Sequence, residues 1–175
     1  MKVRDSGMPS EEAWTDFFNI DIILSQLSIN SEIIDLAEIG CGYGTFTVPS
    51  AKLISGKLFA FDIEKEMIDT VRKRLTYEFI DNVILEERDI LVKTTGLDAN
   101  SVDYVMLFNI LHHESPDDFL SEVHRILRPD GKLGILHWRS DILTPRGPDL
   151  TIRPTPDQIL QLMTLRIFKD KNQII

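Results

Sequence analysis

The sequence predicts an α/β fold: a doubly wound, mostly parallel sheet covered by helices on both faces, in three layers. Two observations carry this expectation. Short apolar runs recur along the chain and alternate with segments whose apolar residues have helical spacing. Strands that alternate with helices pair in parallel through right-handed crossovers. One apolar run, 33–39, also ends in a turn with glycines at alternate positions, Gly40, Gly42 and Gly44, and a helical segment follows. A strand, a glycine turn and a helix N-terminus form the usual cradle for a nucleotide-like ligand in such sheets.

At 175 residues, 43% of them hydrophobic, the chain suits one domain with a substantial core. It divides into an N-terminal helical lid (1–30), a central core (31–138) and a C-terminal loop, helix and strand (139–175). Trp14, Phe17, Phe18, Ile22, Ile23 and Leu27 recur at roughly helical spacing. They predict one or two helices over 8–29, capped by Ser10. A strand over 33–39 follows, then a short helix over 45–54, where Pro49 is tolerated only in the first turn. Strand 57–61, helix 64–79 and strand 83–87 come next, and 101–108 reads as a nearly continuous apolar strand. Ser115 as cap, Pro116 at the first position, and Asp117 and Asp118 in the first turn mark a further helix. Phe119, Leu120, Val123, Ile126 and Leu127 supply its buried stripe. Pro129-Asp130-Gly131 reads as a turn ending that helix, ahead of a strand over 132–138. Residues 143–156 hold four prolines and read as a long loop. Thr155-Pro156-Asp157-Gln158 reads as a capping box for a helix to about Leu165, and 168–175 as one more strand.

The formal net charge is −9 and the pI about 4.9. Phosphate binding needs a basic footprint, so nucleic acid is not an expected partner. Cys41 is the one cysteine, which leaves no intramolecular disulfide. The start of the chain has no apolar signal core and no apolar run long enough to span a bilayer. The expected location is therefore cytoplasmic, without a membrane partner.

The glycine spacing narrows the ligand. The dinucleotide fingerprint Gly-x-Gly-x-x-Gly would place its third glycine at Thr45 or Thr47, and neither fits. The P-loop pattern ends in Gly-Lys-Ser/Thr, and no lysine lies between Glu38 and Ala51. What remains is an acidic residue followed by Gly-x-Gly-x-Gly.

That stretch, Glu38-Ile39-Gly40-Cys41-Gly42-Tyr43-Gly44-Thr45, resembles the first motif of the class I S-adenosylmethionine-dependent methyltransferases that act on small molecules. Asp62 ends the second strand about twenty residues later, where a carboxylate accepts both ribose hydroxyls; it can also cap the helix at Glu64. Asp89, in Glu87-Arg88-Asp89-Ile90, matches the acid that bonds the adenine amino group in this family, with Ile90 beside it; a solvated turn acid is the other reading. Phe108-Asn109-Ile110-Leu111-His112-His113 resembles the fourth motif, whose loop touches the methionine part of the cofactor and the acceptor. Arg125-Ile126-Leu127-Arg128-Pro129-Asp130-Gly131-Lys132-Leu133 resembles the family's helix, turn and fifth strand. The resemblance covers 33–138 in order.

It implies a Rossmann-like sheet in the order 3-2-1-4-5 and methyl transfer from S-adenosyl-L-methionine, with S-adenosyl-L-homocysteine as product. The cofactor-binding residues it implies are Glu38, Gly40, Cys41, Gly42, Tyr43, Gly44, Asp62, Ile63, Met67, Asp89, Ile90, Asn109, Ile110 and Leu111. Glu38 stands where the family more often has Asp, and its longer side chain can still reach the turn amides or the cofactor amino group. Cys41 reads as a small residue tolerated in a tight turn rather than a nucleophile, which would need a base and an electropositive site. Tyr43 either edges the methionine pocket or covers the turn. No catalytic residue is assigned, because the sulfonium already activates the methyl group. His112 and His113 are candidates, and no metal is expected, since adjacent histidines diverge and lack further ligands at metal spacing.

Acceptor choice falls to the N-terminal helices and the loop after the fifth strand. Trp14, Phe17 and Phe18 form either an apolar lid or a helix packed on the sheet. Arg139, Arg146 and Arg153 are either hooks for an acceptor carboxylate or phosphate, or scattered surface charges. The family sheet usually continues past strand five with an antiparallel pair, and this chain has room for one such strand. An open edge invites pairing, so either a homodimer or an edge covered in some other way is expected. The competing functions are a non-catalytic cofactor-binding or scaffold protein of the same fold, and a nucleotide-dependent dehydrogenase.

Overall fold

The computed structural model describes residues 14, 17–144 and 147–166, with side chains described to residue 164. Helix α1 (Ile20–Gln26) is capped by Asn19, whose side chain accepts from the Ile22 N–H. Then come β1 (Leu36–Ile39), α2 (Thr47–Leu53), β2 (Leu58–Asp62), α3 (Lys65–Tyr77) and β3 (Val83–Glu87). The second half holds α4 (Ile90–Lys93), β4 (Val102–Phe108), α5 (Pro116–Ile126), β5 (Leu127–Leu136), a 3-10 turn at Leu150–Ile152 and α6 (Pro156–Arg166). All the strand pairs are parallel, in the order β3-β2-β1-β4-β5. This is the expected doubly wound sheet in the expected order.

The three layers follow from the twofold period of the strands. Leu36, Tyr104, Met106 and Phe108 face one side, where Leu24, Val48, Ile68, Val71 and Leu75 cover them. Ala37, Ile39, Val105 and Leu107 face the other, under Phe119, Leu120, Val123, Ile126 and Met163. All four residues of β1 are buried, as the central strand of a two-faced sheet must be.

Several element bounds differ from expectation for local reasons. β1 begins at Leu36 rather than 33, because the Ile34 and Asp35 N–H groups donate to the Asp103 side chain, Oδ2, and not to a backbone carbonyl of a neighbouring strand. α4 is a single turn absent from the sequence reading; Asp89 caps it by accepting from the Leu91 N–H at 3.0 Å. Ser115 stands before Pro116 but makes no side-chain cap bond, and its N–H donates to His113 Nδ1. Pro129-Asp130-Gly131 is not a turn ahead of the strand: β5 starts at Leu127, directly after α5. Val102 pairs with Leu127 and Tyr104 with Lys132, so these residues form a bulge that lets the chain reverse from helix to strand without a separate loop. The Thr155–Gln158 capping box forms reciprocally, at 2.7 and 3.1 Å. The Ser10 cap and the strand expected over 168–175 lie outside the described residues. Among the described residues β5 is a sheet edge.

One contact ties the N-terminal helix to this edge. The buried Tyr104 hydroxyl donates to Leu27 O at 2.9 Å. It crosses Gly134 on β5, where an added Cβ would lie 2.3 Å from that oxygen. Gly134→Ala should displace the ring and break the bond, lowering stability by about 2–4 kcal/mol, or roughly 5–15 °C in melting temperature. An unchanged thermal melt would show that the ring has room to move.

Candidate functional site at the carboxyl end of the sheet

The glycine turn is fastened to the next strand. Gly40 N–H and Cys41 N–H both donate to Phe61 O, at 2.8 and 3.0 Å. Gly42 N–H donates to Asp62 Oδ2 at 2.8 Å, while Asp62 Oδ1 accepts from the Glu64 N–H at 2.9 Å. Asp62 thus shapes both the turn and the approach to α3, and each oxygen keeps a lone pair for a further donor. Burial raises its pKa, against the backbone N–H bonds of Glu64, Gly42 and Ile63, which lower it. Gly40, Gly42 and Gly44 all have left-handed φ, of 79°, 51° and 77°. Gly44 serves packing rather than the cavity: a Cβ there would lie 3.0 Å from Val71 Cγ2 on α3. Arg74 on the same helix donates to Tyr43 O at 2.9 Å.

Glu38 is buried and does not reach the turn amides. Its Oε2 accepts from the Thr47 hydroxyl at 2.6 Å, which ties β1 to α2. Burial pushes its pKa up to about 8; the Thr47 bond opposes this and the Asp62 charge adds to it. Burial likewise raises the Cys41 thiol, with Glu38 and Asp62 adding to the effect. A thiol held protonated is no nucleophile.

A cavity of about 380 Å³ opens above these residues. Glu38, Gly40, Cys41, Gly42 and Tyr43 line it from β1 and its turn. Asp62, Ile63 and Met67 line it from β2 and α3, and Asp89 and Ile90 from the end of β3. Asn109, Ile110, His112 and His113 contribute from the loop after β4. Asn109 has a left-handed φ of 53° and its N–H donates to Leu136 O at 2.7 Å, so β5 holds the loop over the turn. Leu111 is the exception in this loop: it is buried in the core beneath α5. Among the described residues, no group of three or more His, Cys, Asp or Glu gathers at metal-binding spacing.

A family model described as a methyltransferase domain matches residues 36–131, the segment that carries all four strand ends of this cavity. The chain belongs to this methyltransferase domain family. Its members of this architecture are the class I S-adenosylmethionine-dependent enzymes. The chain is 30% identical, over 161 residues, to a 37.1 kDa protein of transposon TN4556 from Streptomyces fradiae, covering 86% of this chain and 46% of that one. A methyltransferase-like protein of Schizosaccharomyces pombe is 27% identical over 131 residues, 75% of this chain and 46% of its own. The chain thus spans about half the length of these relatives. Its fold is similar to that of a SAM-dependent methyltransferase from Aquifex aeolicus, with a TM-score of 0.76, 20% identity, and 90% and 81% of the two chains covered.

The cavity is also lined by residues outside the expected cofactor-binding set: Thr45, Arg88 and Phe108, which lie within the quoted motifs, and Phe46, Phe119 and Trp138, which do not. Phe108 and Trp138 were findable by the same rule as Asp62, since each ends a strand's carboxyl side. Of the three aromatics read as either a lid or a packed helix, Trp14 lines the cavity. Phe18 braces it edge-on at 5.0 Å, and Phe17 lies against Trp138 at 5.1 Å. Of the two readings of the arginines, hooks or surface charges, the structure does not support hooks at Arg139 and Arg153. Arg139 is exposed and paired with Asp141, and Arg153 is buried in the loop after β5. Arg146 lies outside the described residues. No described helix is long and apolar enough to cross a membrane.

Proposed function

We propose that this chain transfers a methyl group from S-adenosylmethionine to a small-molecule acceptor above the carboxyl end of the sheet. The observation that carries the reading is Asp62, a carboxylate at the end of β2 bonded into the glycine turn at the end of β1, on the wall of the cavity. The residues present fit the cofactor. The turn brings bare backbone to the cavity, and the Thr45 hydroxyl is buried there without a hydrogen-bond partner. A buried hydroxyl left unpaired is costly, and a polar ligand would satisfy it.

In this reading Asp62 accepts the ribose hydroxyls. Asp89 and the Ile90 N–H address the adenine edge, with Ile63 and Met67 against its faces. The backbone from Gly40 to Tyr43 and the loop from Asn109 to Ile110 enclose the methionine part. Gly44 and Leu111 act from behind, through packing. When bound, the cofactor supplies a methyl group on a sulfonium, and the acceptor's lone pair forms the new bond as sulfur keeps the old pair. The chain's own part is to hold the acceptor in line and exclude water.

The two histidines differ in what they offer. His113 Nδ1 accepts the Ser115 N–H at 3.1 Å, so the neutral ring carries its proton on Nε2 and presents a donor. His112, 8% exposed and lining the cavity, is left as the residue to receive an acceptor proton. A base is needed only where the acceptor is protonated at working pH.

Calorimetry with S-adenosylmethionine, S-adenosylhomocysteine and NAD tests the cofactor. Binding of the first two without NAD is the expected result. NAD binding alone would replace this reading with that of a dehydrogenase.

A further inference from the structure

Both tryptophans of the chain, Trp14 and Trp138, line the cavity. Their rings lie 6.0 Å apart at 57°. Ring contacts continue without a break from Trp14 to Phe18, Phe46 and Phe108, at 5.0, 5.4 and 4.9 Å. One side of the cavity is therefore an aromatic wall, assembled from the N-terminal segment, the glycine turn, β4 and the end of β5.

The loop after β5 is built to hold Trp138 still. Gly147 passes so close that an added Cβ would lie 2.8 Å from the indole Cδ2, and its φ of 100° also demands glycine. The Arg153 guanidinium stands 5.5 Å from the ring centroid. It is 6% exposed and donates to Pro148 O at 2.8 Å, Arg139 O at 3.0 Å and Thr144 Oγ1 at 2.8 Å. An arginine bound in this way braces a wall and cannot turn to meet an anion.

Charge at the wall argues in the same direction. Among the cavity's carboxylates, Glu64 is exposed and Asp62 and Asp89 are half-buried, and all three belong to the ends of β2 and β3. Arg88 lines that same end and is held by Glu86 Oε2 at 2.8 Å. No described arginine or lysine faces the cavity beside Trp14 and Trp138. A carboxylate or phosphate acceptor would meet rings without a counter-charge, within an acidic cavity. A cationic acceptor stacked on Trp138 would meet the Arg153 charge behind the ring.

We infer that the acceptor is an uncharged, ring-bearing molecule that packs against the wall formed by Trp14 and Trp138, and not an acidic one. The inference rests on the methyltransferase reading above and specifies the substrate class of the same site.

The test is calorimetric titration of the protein saturated with S-adenosylhomocysteine. The probes are 2-naphthol and 6-hydroxy-2-naphthoate, which share a ring system and differ by one carboxylate. 2-Naphthol should bind about tenfold or more tightly than the carboxylate. Trp138→Ala should weaken 2-naphthol binding about tenfold, and Trp138→Phe should restore most of it. Trp14→Ala should weaken it as well, and this serves if Trp138→Ala does not fold. Equal or tighter binding of the carboxylate would overturn the inference. So would absent 2-naphthol binding to a protein that binds S-adenosylhomocysteine. Failure to bind S-adenosylhomocysteine itself would instead overturn the cofactor reading on which this one stands.

Discussion

Asp62→Ala should weaken S-adenosylmethionine binding by about a hundredfold or more in a protein that remains folded. A hydrogen bond to a charged group is worth about 1.5–3 kcal/mol, and two ribose hydroxyls would lose such a partner. Each 1.4 kcal/mol is a factor of ten, so the pair alone accounts for two or more decades. The turn contributes too, because Gly42 N–H loses its acceptor at 2.8 Å. Asp62→Asn separates the two contributions: its amide oxygen can still accept from Gly42, but the charge is gone. The expected order of affinity is wild type, then Asn, then Ala. Calorimetry gives the affinities and circular dichroism the fold. Unchanged affinity in folded Asp62→Ala would remove the residue from the site, and with it the observation that carries the proposed function.

Glu38→Gln should stabilise the protein, and more so as pH rises. Glu38 is 3% exposed and burial raises its pKa from the ordinary carboxylate value of 4.5 to about 8. The folded state therefore holds a proton that the unfolded chain releases above its own pKa. Its stabilising contribution is complete below 4.5 and is lost as pH climbs towards about 8. The ceiling on that loss is about 5 kcal/mol, at 1.36 kcal/mol for each pH unit crossed. Glutamine is neutral throughout and its amide oxygen can accept the Thr47 hydroxyl in the same place. The two proteins should melt alike near pH ~4.5 and diverge steadily towards ~8, with the variant higher. Parallel melting curves across that range would show that Glu38 ionises freely in the fold. The same substitution bears on the proposed function, because Glu38 lines the cavity.

The fold was legible because its signals are local and repeated. The alternation of apolar runs with helical spacing marks each layer, and the glycine turn marks where the ligand-facing end lies. The strand bounds at β3 and β4 were read to within a residue. The misreadings share a cause, which is that another segment satisfies a group that looks local in the sequence. The Ile34 and Asp35 amides go to Asp103, 69 and 68 residues away, and so β1 starts late. Ser115 stands at the expected N-cap position, but its side chain makes no cap bond, and its N–H goes to His113 Nδ1. Pro129-Asp130-Gly131 has the composition of a turn, yet β4 pairs across it and makes it a bulge.

The sequence placed a carboxylate, a glycine turn and an asparagine loop at strand ends, and the strand order implied by the family resemblance brings them together. Only the tertiary structure decided what each charged side chain is for. Arg153 reads in sequence as either an anion hook or a surface charge, but the loop carbonyls bind it, bury it and leave it behind Trp138. Glu38 reads as a ligand to the turn, but Thr47 captures it within the core. A charge's role depends on which partner lies within three ångströms and how much water is left around it. Both are properties of the packed chain, and no spacing along the sequence encodes either.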